Sequence, residues 1–267
     1  MNWTSVRAIM RKDIRAVSRS KAVTIPMLAV PFILMVVVPL GLGLYARAHP
    51  QVDVQRVLDT VPGDLAEPIL SLPQNQQLLV LVNGYLLAPL FLIVPLMVSA
   101  VLAADAFAGE KERKTLEALL YLPMSDRELF IAKLLGAFVP AVLVSWIGFV
   151  CYAAVSNAVG WSVTHRIFIP TSIWLIVILW VAPAVAALGL AVMVRVSARA
   201  RTSQEANQLG GAVVLPLIFL AVGQATVLLL VSPVVSLGFG AVLWTVALVL
   251  VQRGARRFTR DQLAARL

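Results

Sequence analysis

Six stretches of mostly apolar residues, each near the length of a membrane-spanning helix, constrain this chain more than any other feature. A helix crosses the ~30 Å hydrocarbon core of a bilayer in about 20 residues. None of the stretches contains Asp, Glu, Lys, Arg or His, and together they predict an all-α membrane protein with six transmembrane helices. The predicted spans are residues 22–45, 78–104, 134–157, 169–194, 208–231 and 234–251.

The overall composition supports this assignment to the membrane. Hydrophobic residues make up 60% of the 267 residues and charged residues 13%, whereas soluble domains are nearer half apolar and a quarter charged. A single cysteine, Cys151, excludes an internal disulfide, and we expect its thiol to be buried in the third span. His49 and His165 are too few and too far apart to suggest a metal cluster. The sequence therefore predicts no metal and no cofactor bound by the chain itself.

The distribution of Lys and Arg predicts the orientation of the spans. Nineteen of the 22 basic residues lie in the leader, in the segments after the second and fourth spans, and in the C-terminal tail. Only Arg47, Arg56 and Arg166 lie in the alternate segments. Because cytoplasmic loops carry the basic excess, we expect both termini inside. The net charge of +9 then reflects orientation, not nucleic-acid binding.

Two segments outside the spans have patterns of their own. Residues 1–21 lack the short apolar core and cleavage site of a signal peptide. Their apolar residues recur near helical spacing among basic ones, which predicts an amphipathic helix in the inner headgroup layer, either a topology anchor or a partner contact. The extracytoplasmic loop 46–77 is expected to hold one or two short helices broken by Pro62, Pro68 and Pro73.

The cytoplasmic segment 105–133 concentrates charge between two apolar spans. From Gly109 it reads GEKERKTLEALL, with strong helix formers and no proline until Pro123. Ser125 and Glu128 then form an S-x-x-E capping box, which predicts the start of the helix that enters the third span. A leucine ridge with charges of both signs is typical of a connector that docks on another protein.

This block resembles the intracellular loop of bacterial type-2 ABC export permeases. In that family a G-E-K-E-x-x-T-L-E-x-L-L-x-x-P-x-S segment links the second and third of six spans, and the same pattern runs here from Gly109 to Ser125. The resemblance implies a permease with cytoplasmic termini in the inner membrane of a prokaryote. It implies two copies of a separate ATPase subunit, which binds ATP and Mg²⁺, and a second permease copy, identical or related. ATP binding and hydrolysis would switch the permease pair between inward- and outward-facing states.

The resemblance also assigns a coupling helix that sits on the ATPase. We expect Glu112 and Glu117 to face the partner or to orient the helix, with Leu116 and Leu120 as apolar anchors. The full set of assigned residues is Gly109, Glu110, Lys111, Glu112, Arg113, Lys114, Thr115, Leu116, Glu117, Leu119 and Leu120.

The pair Lys114-Thr115 imitates the end of a phosphate-binding loop. Such a loop needs glycines where Ala108 and Arg113 stand, and a strand before it where this chain has a membrane helix. We therefore expect no ATP binding and no catalytic residue in the chain, which is not an enzyme by itself.

Uncharged spans suit an apolar or amphipathic cargo that passes between two permeases. Two other functions stay open: an ion- or proton-coupled secondary transporter, which would be expected to carry ionisable residues within its spans, and a non-transporting membrane anchor for an ATPase. The polar residues assigned to a substrate pathway, each of which could equally make a hydrogen bond between helices, are Asn83, Ser99, Ser145, Asn157, Gln224 and Thr226.

Overall fold

Helices make up every element in the described part of the chain. The computed structural model describes residues 3–58, 63–113, 124–197, 200, 202, 204–206, 208–211 and 233–257. The helices are α1 Trp3–Arg19, α2 Lys21–Phe32, α3 Val38–Ala48, α4 Gln55–Leu58, α5 Gly63–Leu70, α6 Gln74–Leu79, α7 Ala88–Phe91, α8 Ile93–Ala104, α9 Glu110–Glu112, α10 Asp126–Thr164, α11 Ser172–Ile176, α12 Ala182–Ser197 and α13 Pro233–Arg257.

Five helical runs are long and apolar enough to cross a membrane, and they make this an integral membrane protein. We call them the first, second, third, fourth and C-terminal spans. Most of the predicted span 208–231 lies outside the described residues. The five runs are Val23–Ala48, Ile93–Glu112, Asp126–Thr164, Ser172–Ser197 and Pro233–Ala255.

Wider π turns join several of these helices. A π turn adds one residue to an α-helix and leaves backbone groups without their usual partners, so it is often found at functional positions. The π turns are Ile33–Val37, Val80–Leu86, Asp105–Gly109 and Val177–Val181.

The third span is a single helix, α10, of 39 residues. At 1.5 Å per residue it is about 58 Å long, well beyond the ~30 Å hydrocarbon core. Its start is the predicted capping box, which is confirmed. The Glu128 backbone N–H donates to Ser125 Oγ at 3.3 Å, and the Ser125 N–H donates to Glu128 Oε2 at 3.1 Å. The helix therefore begins well before the apolar stretch.

The second and fourth spans form the centre of the bundle. Of their most apolar stretches, 72% and 61% are buried, against 28% and 17% for the first and C-terminal spans. Between them lies an aromatic cluster in which Phe91 packs edge-on against Phe149 and Trp174, with ring centroids 5.9 and 5.8 Å apart. The two peripheral spans thus leave most of their apolar surface for lipid or another subunit.

Two expectations from the sequence were wrong in detail. Cys151 was expected to be buried in the third span, but it is exposed, because it lies on the outward face of α10 beside Val150. Pro68 was expected to break a helix, yet it lies inside α5, where a proline removes only one internal hydrogen bond. Pro73 does precede a helix, α6, and Pro62 lies outside the described residues.

Candidate coupling site at the inner ends of the second and third spans

Helix α1 packs against the first turns of α10. Its apolar stripe includes Val6 and Ile9, which form a buried cluster with Leu129 and Ala132. The opposite face of α1 carries arginines and is exposed. The leader is thus held against the third span by its apolar face, and its arginines lie on the exposed side.

A buried ion-pair cluster joins α1, the second span and α10. The ammonium of Lys133, on α10, is fully buried, donates to the carbonyl of Ala106 at 2.7 Å and pairs with one oxygen of Glu110. The other oxygen of Glu110 accepts from Lys12 of α1 at 2.5 Å. One carboxylate at the end of the second span therefore holds two lysines from two other helices.

Asp13 completes this cluster. It is 8% exposed, and its Oδ1 lies 3.1 Å from the Lys12 ammonium, while Oδ2 is buried without a hydrogen-bond partner. Burial raises the pKa of Asp13 above its ordinary value of 3.8; Lys133 and Lys12 oppose this shift, and Glu110 adds to it. Burial lowers the pKa of Lys12, but its two carboxylate partners outweigh that effect and leave it raised.

A second ion pair lies at the C-terminal end of the second span. Arg113 donates from one nitrogen to both oxygens of Asp105, at 3.0 and 3.1 Å. A Cβ at Gly109 would lie 2.9 Å from Asp105 Oδ1 and from Arg113 Nη2. A side chain at Gly109 would displace this pair, which gives a physical reason for the glycine that opens the charged segment.

The assigned coupling residues divide into inward-facing and outward-facing groups. Gly109 and Glu110 are buried, and Lys111 is half-buried with its ammonium 3.4 Å from the carbonyl of Ala200. Glu112 and Arg113 are exposed. Glu110 therefore faces the interior of the helix bundle, where it pairs with Lys12 and Lys133. The function of the whole segment stays a prediction. The assigned residues outside the described part of the chain are Lys114, Thr115, Leu116, Glu117, Leu119 and Leu120.

Sequence reasoning missed the ion-pair partners of the charged segment. One signal was available: Asp13 follows Val6 and Ile9 at helical spacing, on the buried stripe of α1. A carboxylate on an apolar stripe needs a basic partner. The partner Lys133 gave no such signal, because a lysine just before a span is also typical of cytoplasmic flanks.

The polar residues assigned to a substrate pathway make bonds within the chain. Ser99 and Ser145 donate to backbone carbonyls of their own helices at 2.9 and 2.8 Å. Asn157 binds the loop after α10, because its Oδ1 accepts from the N–H groups of Phe168 and Ile169. Gln224 and Thr226 lie outside the described residues, so their assignment stays a prediction.

Asn83 is the fourth described member of that set, and it lies in the π turn Val80–Leu86. Its Nδ2 donates to the carbonyl of Pro39 at 3.3 Å, and its own backbone carbonyl accepts from Tyr152. The next carbonyl, that of Gly84, accepts from Trp174 Nε1 at 2.8 Å. Side chains of the third and fourth spans thus satisfy carbonyls at this π turn.

The apolar spans, the charged segment and the buried ion pairs where they meet define a helical integral membrane protein. A family model described as "ABC-2 family transporter protein" matches residues 7–236. The chain therefore belongs to the ABC-2 transporter family, as the sequence resemblance predicted. It is the membrane component of an ABC transporter. Permeases of the ABC-2 family normally pair with a separate ABC ATPase and are not themselves catalytic. None of the curated proteins matches the chain.

Proposed function

We propose that this chain is the permease subunit of an ATP-driven exporter in the cytoplasmic membrane of a prokaryote. Six spans would place both termini inside, and two permease copies, identical or related, would assemble with two ATPases. The observation that carries the proposal is the set of buried ion pairs that fix the start of the charged segment to two other helices, α1 and α10. A segment that receives force from a partner needs such an attachment.

In this proposal, the inward-facing and outward-facing residues have different tasks. Glu110 is a positioning residue, which holds the segment against Lys12 and Lys133. Glu112 is exposed and directly precedes Arg113, which pairs with Asp105. It would contact the ATPase, together with the leucines and Glu117 farther along the segment. Movement of the ATPase would then reach the second and third spans through paired charges.

ATP and Mg²⁺ would bind only to the ATPase subunit, because the chain has no phosphate-binding loop. The cargo would pass between two permeases, where uncharged helices suit an apolar or amphipathic molecule. Gln224 and Thr226, with the described polar residues of the spans, are candidates to line that route.

The decisive experiment reverses the charges of Glu112 and Glu117 and does not alter the buried pairs of Glu110 with Lys12 and Lys133. Glu112→Lys with Glu117→Lys should reduce capture of the partner ABC ATPase, and cargo-stimulated ATP hydrolysis, by a factor of ten or more. That loss corresponds to about 1.4 kcal/mol of interface free energy. Membrane insertion should survive, because added basic charge still favours the cytoplasmic side.

The control is Glu67→Lys, which makes the same type of charge reversal once, at an exposed position of the outer loop. Capture and hydrolysis at wild-type levels after Leu116→Ala and Leu120→Ala are also added would refute the coupling role. Cargo movement without any ATPase would favour a secondary transporter. A stable complex that hydrolyses ATP and moves no cargo from a broad screen would favour the anchor.

A further inference from the structure

Two buried polar atoms without a protein hydrogen-bond partner lie on the π turn Val80–Leu86 and on the third span, which Tyr152 joins to that turn. They are Oδ1 of Asn83 and Oγ of Ser156, and both side chains are fully buried. Leaving such an atom unpaired away from water is unfavourable, and buried polar groups that lack a protein partner are commonly satisfied by ordered water.

The orientation of the Asn83 amide is set by its neighbour. Its Nδ2 lies 3.3 Å from the carbonyl oxygen of Pro39. A carbonyl accepts hydrogen bonds and does not donate them, so exchanging the amide N and O would bring two acceptors together. The oxygen Oδ1 must therefore point away from Pro39, toward the rest of its surroundings.

Contacts on either side place Ser156 next to that amide. Tyr152, one turn before Ser156 on α10, donates to the backbone carbonyl of Asn83. Beyond Ser156, a Cβ at Gly43 would lie 2.9 Å from Val159 Cγ1 and 3.1 Å from Asn83 Nδ2. Residues 152, 156 and 159 share one helix face, so Ser156 lies between a residue that bonds to Asn83 and one that packs, like the Asn83 amide, against Gly43.

The hydroxyl of Ser156 also differs from the other buried hydroxyls of the same helix. Ser145 donates to the carbonyl of Ala141 at 2.8 Å, and Thr164 donates to that of Gly160 at 3.1 Å, the usual bond to the preceding turn. Ser156 makes no such bond. Its neighbour on the same helix face is Tyr152, one turn before it.

We propose that one ordered water molecule binds between Asn83 Oδ1 and Ser156 Oγ, with the Tyr152 oxygen as a third partner. Bound buried waters typically make about three hydrogen bonds, and these three atoms supply them. The water donates to the Asn83 oxygen and joins the π turn Val80–Leu86 to the third span. This site is independent of ATP coupling and of the proposed exporter function.

Ser156→Ala tests the proposal by the sign of its effect. Removing a hydroxyl that has no partner should leave stability unchanged or improve it, whereas removing a ligand of a bridging water should weaken the fold. We expect the apparent melting temperature of the full chain in nanodiscs to fall by roughly 2–4 °C. The control Ser145→Ala deletes a hydroxyl that bonds within its own helix.

A direct readout comes from X-ray radiolysis, which makes hydroxyl radicals from water bound inside the protein. Rapid oxidation of buried Tyr152 is expected in the wild type and should fall several-fold in Ser156→Ala, but not in Ser145→Ala. Retained oxidation of Tyr152 in Ser156→Ala, or an unchanged or raised melting temperature, would overturn the proposal. Both readouts use the mild serine variants, so a folding failure at Asn83 cannot obscure the result.

Discussion

The base of the molecule and its middle bury polar groups of different kinds. At the base, ionisable side chains from three helices meet around Glu110, with Lys12 and Lys133 on its two oxygens. In the middle, at the π turn around Asn83, the buried partners are an amide, a phenol and an indole. Buried ion pairs lie where the helices leave the apolar stretch, and neutral hydrogen bonds lie within the apolar part of the bundle.

Physical cost explains this difference. An ion loses several kcal/mol of solvation on burial and recovers it only with well-placed partners, whereas a neutral hydrogen bond contributes about 1 kcal/mol. Paired charges therefore make strong, direction-specific joints at the base. The neutral joints of the middle are weaker, and separating them costs less.

The largest expected effect is at the base. Lys133→Met removes one of the two lysines that pair with the buried Glu110 carboxylate, and we expect the free energy of unfolding to fall by about 3–5 kcal/mol. Adding Glu110→Gln removes the carboxylate charge that lost this partner and should restore part of the loss. Thermal unfolding of the single and double variants measures this coupling. Strictly additive losses would mean that the two residues act separately, and Lys111→Met is the control at a half-buried lysine.

An intermediate effect is expected in the middle. Tyr152→Phe removes one neutral donor to the buried Asn83 carbonyl, which should cost about 1–3 kcal/mol. Thermal unfolding under the same conditions compares the two regions directly. A loss as large as that of Lys133→Met would contradict the distinction between charged and neutral joints. Tyr45→Phe, at an exposed tyrosine of the first span, controls for loss of a hydroxyl alone.

The smallest expected effect is the pH dependence of the base. Because burial raises the pKa of Asp13 above 3.8, the folded protein binds this proton more tightly than the unfolded chain does. Stability should therefore fall as pH rises from near 4 through the raised pKa. Asp13→Asn should remove this slope from the pH profile of the melting temperature. The exposed Glu67→Gln is the control, and an identical slope in Asp13→Asn would refute the assignment.

Local signals in the sequence predicted local structure well. Runs of apolar residues located both ends of the first, fourth and C-terminal spans to within four residues, because a helix in lipid must satisfy its backbone internally. The second and third spans differ more. They run over Ile93–Glu112 and Asp126–Thr164, against the predicted 78–104 and 134–157. The capping box at Ser125 was predictable because all its atoms lie within four residues.

The candidate site was predictable only in part. The family motif located the charged segment, but the pair of Lys12 and Glu110 joins residues 98 positions apart, and no periodicity reports that. The apolar stripe of α1 could equally have faced lipid, since hydrophobic spacing does not identify the apolar surface it meets. The π turn around Asn83 likewise depends on partners from other spans.

The outward position of Cys151 gives the chain a native site for a spectroscopic label. It is the one cysteine in the sequence, and its side chain is exposed on α10, so a nitroxide or fluorophore can be attached without any engineered residue. In the proposed pair of identical permeases, each copy would carry one label at the same depth. The separation of the two labels would then follow the third spans through the transport cycle.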